Sequence, residues 1–297
     1  MANTRIKVIN TLRNLLVGIS LFILALGCTA IEPVTLEDET LEAPSIFSHG
    51  DFERVLQGFV DDKGLVDYGA LKNNPLDLER YYLLLSTYSP DSHPTLFPSK
   101  QANLAYWINA YNAAAIKIVL TYYPISSVRD IKPPTILFFL PEKTGFFVFQ
   151  RVSFGGKTTN LYYLENGVIR KRFSDPRVHF ALNCAALGCP RMPRRVFTSQ
   201  GLNEQLDREA RDFLAEERNL RVDHQEKTIY MSSIFKWYKN DFLNWYRESF
   251  PQQEATLLNY VSLYLPGGKS DEIRGLAASY RVRFIPYDWR LNDRNPP

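Results

Sequence analysis

No part of this sequence limits the fold as strongly as residues 99–123, where apolar side chains cover nearly every face of a helix. Ser99 stands as an N-cap after Pro98, and Pro124 follows just past the end. A helix that lacks a polar face has to be surrounded by other parts of the protein. The pattern therefore predicts a buried central helix around which the remaining elements pack.

The segments around this helix alternate between helical and extended patterns. Helical spacing of apolar residues predicts helices near 52–59, 76–88, 161–172, 202–217, 234–242 and 254–265. Extended patterns predict strands at 146–149, 177–183, 220–222, 228–230 and 280–286, with a hairpin turn at Gly155-Gly156. Together, these predicted helices and strands indicate a helix-rich, single-domain α+β fold with a small, mainly antiparallel sheet.

The first 28 residues have the pattern of a secretory signal peptide. Three basic residues precede an uncharged apolar run over 15–27, and Cys28 follows at once. The run is shorter than the roughly 20 residues that a membrane span needs. Residues 24–28, Leu-Ala-Leu-Gly-Cys, resemble a bacterial lipobox, although Ala25 and Leu26 stand where a Leu and a small residue are more usual. The resemblance implies that Cys28 is lipidated with palmitate or a similar acyl chain.

The same resemblance implies that the protein is located in the cell envelope. Thr29 rather than Asp follows the cysteine, which favours an outer-membrane lipoprotein facing the periplasm. The alternatives are an uncleaved signal anchor and a soluble periplasmic protein. Residues 29–48 are acidic and hold two prolines, which is typical of a tether. We therefore expect a signal peptide at 1–27, lipidated Cys28 and a flexible tether at 28–50, a globular domain at 51–292 and a tail at 293–297.

Composition narrows the class of partner. The net charge is only +3, and charges of both signs are interspersed, so there is no basic stripe of the kind that nucleic acid requires. The chain holds 19 Phe, 17 Tyr and 4 Trp, which favours a well-packed globular protein over a disordered one. The expected partners are the membrane, through the lipid anchor, and an unknown protein or small molecule.

The three cysteines allow more than one interpretation. If Cys28 carries lipid, Cys184 and Cys189 remain as an even pair in an oxidising compartment, and a disulfide is the simplest interpretation. A reactive thiol, inert thiols and a metal site are the alternatives. His179 and the two cysteines offer at most three ligands at a spacing that matches no zinc signature. We therefore predict no metal and no cofactor.

A thiol enzyme is the functional alternative to the disulfide. Cys184 follows the predicted strand 177–183, where free backbone N–H groups can lower a thiol pKa and form an oxyanion hole. His179 is the candidate base, but five strand residues would separate its backbone from that of Cys184 by roughly 16 Å. Glu165 would complete the set if it were buried beside His179 or Arg177.

Several polar residues are candidates for substrate binding. Asn109 and Asn112 are three apart on the central helix and so share one face. Their amides either fix a neighbouring loop or form the polar floor of a pocket. Arg177 and Asn183 lie on the same face of the predicted strand as His179 and join them as candidates.

Three motifs in this order resemble the domain-of-unknown-function 547 family, which is found in bacteria and plants. They are YWINAYN at 106–112, DPRVHFALNCAALGCP at 175–190 and IFKWYKNDF at 234–242, and PYDWRLN at 286–292 is similar to the family's end. The resemblance implies a domain without an established activity. The family has a Glu-His pair where this chain has Glu165-Asn166, so any mechanism that rests on that histidine does not transfer.

Two hypotheses follow. The first is a non-catalytic envelope lipoprotein in which the cysteines form a disulfide and the domain binds a partner or a small ligand. The second is a thiol-dependent hydrolase or acyl transferase with Cys184 as nucleophile, His179 as base and Glu165 as the third member. The sequence leaves open whether the protein is an enzyme.

Overall fold

The computed structural model describes residues 29–33 and 46–296 of the chain. Its helices are α1 (Gly50–Phe59), α2 (Tyr68–Asn73), α3 (Leu76–Thr87), α4 (Lys100–Tyr122), α5 (Thr144–Phe147), α6 (Leu161–Tyr163), α7 (Arg170–Phe173), α8 (Leu202–Ala215), α9 (Ser233–Trp237), α10 (Lys239–Ser249), α11 (Leu257–Ser262) and α12 (Gly267–Leu276). Its strands are β1 (Thr29–Ala30), β2 (Gln150–Phe154), β3 (Lys157–Thr159), β4 (Leu220–Asp223), β5 (Thr228–Ser232) and β6 (Arg281–Ile285). The helix-rich α+β fold predicted from the sequence is confirmed.

Helix α4 is the buried central helix. The Ser99 side chain accepts a hydrogen bond from the Ala102 amide at 3.0 Å and so caps the first turn. Almost every side chain from Leu104 to Leu120 is buried, as a helix without a polar face requires. The helix therefore supplies a fixed scaffold to which the surrounding loops attach.

The strands form two small sheets, and each sheet is mixed. In the first, β2 pairs with β1 in parallel and with β3 antiparallel; in the second, β5 pairs with β6 in parallel and with β4 antiparallel. The antiparallel pairs are the local hairpins that the sequence predicted, including the turn at Gly155-Gly156. The parallel partners, β1 and β6, are distant in sequence from the strands they join, as parallel pairing requires.

Two predicted strands are helical instead. Residues 144–147 form α5, and Pro176–Phe180 form a 3-10 turn. Pro176 suits the first position of a helical turn, and the Asp175 side chain accepts a hydrogen bond from the Arg177 amide at 3.0 Å. The alternation of apolar residues at 177–183 therefore does not reflect a strand, and the separation of His179 from Cys184 that it implied is wrong.

The 3-10 turn lies between two hydrophobic clusters. Val178 and Ala181 belong to the cluster built around α4, and Phe180 belongs to the cluster formed by α8 to α12 and the second sheet. Because its neighbours are fixed on both sides, His179 has little freedom to move.

The described ends of the predicted tether contact the domain. The Thr29 amide donates to the Phe149 carbonyl at 3.1 Å, and the buried Ile31 accepts a hydrogen bond from the Tyr82 hydroxyl at 2.9 Å. Near its other end, Phe47 is buried. The predicted signal peptide, Cys28 and residues 34–45 lie outside the described residues, so the signal peptide and the tether's central part stay predictions.

The predicted tail also begins inside the fold, since the buried Asp293 accepts a hydrogen bond from the Tyr123 hydroxyl at 2.8 Å. Within the described ranges, no helix combines the length and the apolar composition that crossing a bilayer demands.

His49 predicts a pH-dependent stability. Burial lowers its pKa from 6.5 to about 4, and its Nδ1 lies 2.7 Å from the Tyr81 hydroxyl. The unfolded chain therefore binds more protons between pH 6.5 and pH 4, and stability falls as the pH drops through that window. We expect a loss of about 3 kcal/mol across this window, measured by urea unfolding at each pH. His49→Gln should remove most of this dependence, whereas His224→Gln, at an exposed histidine, should leave it unchanged.

Candidate functional site

A cavity of about 500 Å³ lies against the segment that carries His179 and Cys184. Aromatic rings form much of its wall, among them Tyr111, Phe147, Trp237, Tyr238, Tyr287 and Trp289. Its polar lining consists of Lys143, Glu165, Asn166, Arg170 and His179 together with both cysteines. Apolar walls with a few polar groups that converge are typical of a small-molecule site.

His179 is oriented by a carboxylate from α10. Its Nε2 lies 2.8 Å from Asp241 Oδ2, and Arg170 binds both oxygens of the same carboxylate at 2.7 and 2.9 Å. Burial would raise the pKa of Asp241, but the hydrogen bonds from His179 and Arg170 outweigh it and hold this pKa well below its usual range. An ionised carboxylate only accepts, so Nε2 donates and the neutral ring keeps its lone pair on Nδ1.

Stacking against an aromatic ring also fixes the orientation of the His179 imidazole. Its ring stacks on that of Tyr238 with centroids 3.8 Å apart, and the Arg170 guanidinium lies 4.8 Å from the centroid of the same Tyr238 ring. Nδ1 of His179 has no hydrogen-bond partner in the described part of the chain. The ring therefore presents one fixed acceptor atom at the wall of the cavity.

Glu165 enters the cavity from a π-helical turn. Residues Leu164–Ile169 form this turn between α6 and α7, and such turns are frequent at functional sites. Glu165 Oε1 accepts from the Tyr238 hydroxyl at 2.5 Å, and Oε2 accepts from the Tyr111 hydroxyl at 3.4 Å. Burial and the adjacent Glu165 raise the pKa of both tyrosines well above the usual value, so both hydroxyls stay protonated and donate.

The partner of Glu165 differs from the one expected. The sequence suggested His179 or Arg177, whereas the carboxylate binds two tyrosines and His179 binds Asp241. Tyr238 connects the two groups, because its ring stacks on His179 while its hydroxyl binds Glu165. The polar side chains of the cavity are thus held in place by one another before any ligand arrives.

A disulfide joins Cys184 and Cys189, with their Cα atoms 6.2 Å apart, which confirms the predicted pairing. The Tyr287 hydroxyl lies 3.1 Å from the sulfur of Cys184 and 3.0 Å from that of Cys189. Burial raises the pKa of Tyr287 far above its usual value, so this hydroxyl is a donor to sulfur. With the bond closed, neither cysteine presents a thiol to the cavity.

A second cavity, of about 670 Å³, is also lined by Cys189 and Tyr287. Arg191 and Arg218 on its wall both pair with Glu216, and Arg290 pairs with Asp288 at 2.5 Å. These ion pairs offset much of the positive charge, so the second cavity offers a less distinctive chemistry than the first.

Asn109 and Asn112 of α4 bind backbone and are absent from the lining of the aromatic cavity. Asn109 donates to the Phe197 carbonyl at 2.8 Å and accepts from the Phe197 amide at 3.0 Å. Asn112 donates to the Ala181 carbonyl at 3.0 Å and accepts from the Asn183 amide at 2.8 Å. Their positions support the loop-fixing interpretation over the substrate-binding one.

The other two candidate binding residues also lie elsewhere. Arg177 pairs with Asp175 at 2.6 Å and with Asp207 at 2.7 Å, outside the aromatic cavity. Asn183 lines the second cavity, and its side chain donates to the Pro190 carbonyl at 2.7 Å. Of the predicted catalytic residues, Cys184, His179 and Glu165 do share one cavity.

Sequence reasoning missed Asp241 and Tyr287. In the sequence, Asp241 lies in the predicted helix at 234–242 and Tyr287 in the segment at 286–292, and neither position indicates a site by itself. The density of aromatic residues near both was the available signal, since partly exposed tryptophan and tyrosine rings often mark a binding surface. Among the residues that the structure describes, no group of three or more His, Cys, Asp or Glu side chains is arranged to hold a metal ion.

Comparisons with known proteins give one match. The family model described as "Protein of unknown function, DUF547" matches residues 96–214. No curated protein and no solved structure matches the chain. The matched segment contains α4, the π-helical turn, His179 and both cysteines of the disulfide, whereas Tyr238, Asp241 and Tyr287 lie beyond it.

Proposed function

We propose a function from the aromatic cavity, because the description of the DUF547 family model that matches residues 96–214 names no activity. The protein is an envelope-anchored lipoprotein that binds a small molecule in this cavity without transforming it. The observation that carries the proposal is the pair of Glu165 and His179, which hydrogen bonds hold in fixed positions between aromatic walls, with Lys143 over the Trp237 and Trp289 rings.

The lining defines the class of ligand. Trp237, Tyr287 and Trp289 form a cluster with ring centroids 4.6 to 5.9 Å apart, which suits the flat face of a ring-shaped molecule. The Glu165 carboxylate and Nδ1 of His179 accept hydrogen bonds, so the ligand needs hydroxyl or amine donors at its edge. A ring-shaped compound that bears hydroxyl groups meets both requirements.

The disulfide supports binding rather than thiol catalysis. The thiolate is the nucleophilic form of cysteine, and neither sulfur of a closed disulfide is a thiolate. A thiol count tests this part of the proposal: the native full chain, unfolded without reductant, should take up no iodoacetamide at Cys184 or Cys189. Alkylation of either residue would contradict it.

The anchoring rests on the signal-peptide pattern and on Cys28. Two or more acyl chains on one residue hold a protein at a membrane stably, because each buried methylene contributes about 0.8 kcal/mol. Cells that express the full chain and are fed an alkyne analogue of palmitate should label the wild type and leave Cys28→Ala unlabelled. Equal labelling of both chains would overturn the anchor.

We predict that phenyl β-glucoside, which combines an aromatic ring with hydroxyl groups, binds this cavity and quenches tryptophan emission. Trp237→Ala should weaken binding about tenfold, because a stacked aromatic partner is lost. Trp245→Ala is the matched control, since Trp245 lines a different cavity. Equal Kd values for the two variants in a fluorescence titration would exclude this site.

One observation favours the thiol enzyme as a second candidate. His179 carries an orienting carboxylate on Nε2 and lines the same cavity as Cys184, so a base and a candidate nucleophile share one cavity. A dithiol reductant would first have to convert the disulfide to two thiols. Cleavage of 4-nitrophenyl acetate that depends on dithiothreitol and disappears in Cys184→Ser would favour this candidate over pure binding.

A further inference from the structure

Residues 131–143 hold a concentration of exposed apolar side chains. Ile136 is 56% exposed, Phe138 84% and Phe139 68%, and no charged residue stands between 133 and 141. Because two consecutive phenylalanines are exposed, residues 133–141 project from the surface, and we call this segment the tip. Contiguous apolar groups of this kind mark a surface that meets a partner or a membrane.

The base of this loop is firmly held. Glu142 pairs with Lys132 at 2.7 Å and with Arg129 at 2.8 Å, which closes the loop across its two ends. Gly145 packs directly on the Ile131 backbone, and Phe146 is fully buried. The tip itself contains a 3-10 turn at Thr135–Leu137. The phenylalanines therefore stay exposed because the fold holds them there.

The N-terminal strand enters the domain next to this loop. Strand β1 runs parallel to β2, so both strands begin at the same end of the sheet. The loop leads through α5 into β2, and the Thr29 amide donates to the carbonyl of Phe149, the residue before β2. Thr29 is the residue that follows Cys28 in the sequence. The residue after the proposed acylation site and the loop therefore approach the same end of the first sheet.

We propose that the tip at 133–141 inserts into the phospholipid bilayer, and this rests on the proposed acylation of Cys28. Because β1 begins at the residue after Cys28, no flexible linker separates the acyl chains from the domain, and the domain lies against the membrane. The apolar side chains of the tip then enter the acyl region of the bilayer, as in other interfacial anchors.

A bilayer fits the tip better than a protein does. A projecting pair of phenylalanines would need a matching pocket on a protein partner, and two such tips meeting in a dimer would bury little area. A lipid surface needs no pocket, because it is fluid. The short connection to the acyl chains also keeps a bilayer, and no other partner, permanently within reach.

The experiment places an NBD fluorophore on the tip. The full chain is made as Phe138→Cys and, for comparison, as Glu248→Cys at an exposed site on α10. Each is made with Cys28 and with Cys28→Ala, and mixed with vesicles of phosphatidylethanolamine and phosphatidylglycerol. We expect blue-shifted emission and nitroxide-lipid quenching from position 138 and neither from position 248. Adding Ile136→Ser and Phe139→Ser should lower the ratio of inserted to exposed label at least about tenfold.

The outcomes separate the loop from the anchor. Exposed label at 138 in vesicles, while Cys28 incorporates palmitate, would overturn insertion and leave the anchor standing. Inserted label at 138 in the Cys28→Ala chain would support the loop even if Cys28 carries no lipid. A blue shift without vesicles would mean burial against a second copy and would overturn the proposal. Tyr162→Ser/Tyr163→Ser, at two aromatic side chains that are each 57% exposed outside the tip, should not change the inserted fraction.

Discussion

Gly145→Ala should lower the free energy of unfolding by more than about 3 kcal/mol. A Cβ at this position would lie 1.8 Å from the Ile131 carbonyl oxygen and 2.4 Å from the Lys132 carbonyl carbon. Both atoms are backbone, so no side-chain rotation can relieve the contact, and the start of the exposed loop has to move. Urea denaturation of the full chain measures the effect.

Gly58→Ala provides the matched control. This glycine lies in α1, and a Cβ there would meet nothing within 4 Å. The substitution should stabilise the protein by up to about 1 kcal/mol, because alanine is the better helix former. If both variants unfolded at the same urea concentration, the close approach of Gly145 to the 131–132 backbone would not be a real constraint.

Asn112→Ala should cost about 2–5 kcal/mol. The change leaves the Ala181 carbonyl and the Asn183 amide without their partner, and both lie in a buried part of the chain. Each unsatisfied buried group costs roughly 1–3 kcal/mol. The freed segment leads into Cys184, so the disulfide wall of the cavity loses a support at the same time. Thermal unfolding of the full chain gives the loss.

The same variant separates a structural role from a binding role. Asn74→Ala, at an exposed asparagine that bonds only to the Ala70 carbonyl, should change stability by no more than about 0.5 kcal/mol. Phenyl β-glucoside should bind folded Asn112→Ala at low temperature with the Kd of the wild type. An unchanged melting temperature with lost binding would instead make Asn112 a ligand-binding residue.

Whether a feature could be predicted from the sequence depends on how far apart in the sequence the interacting residues are. Helix α4 was predictable because burial on all faces is a property of one segment. The disulfide was predictable because two cysteines five positions apart, in a chain whose first residues have the pattern of a signal peptide, favour a disulfide over other fates. The contact of His179 with Asp241 was not, because it joins residues 62 positions apart on elements that meet only in the folded protein.

Two errors share a local cause. Alternating apolar residues at 177–183 fit a strand, but Asp175 and Pro176 begin a 3-10 turn there, and this brings His179 and Cys184 to one cavity. Residues 29–31 fit a tether by composition, yet they pair with a strand about 120 positions later. In the first case a capping side chain determines the local structure, and in the second a distant strand does. The periodicity of apolar residues contains no information about either.

Cys189 and Tyr287 belong to the walls of both cavities, so the two spaces share one boundary. A molecule that displaces the Tyr287 ring from one side therefore changes the shape of the other side as well. Reciprocity then requires that occupants of the two cavities alter one another's affinity by the same factor. The tyrosine and the disulfide that separate the two cavities would carry this coupling.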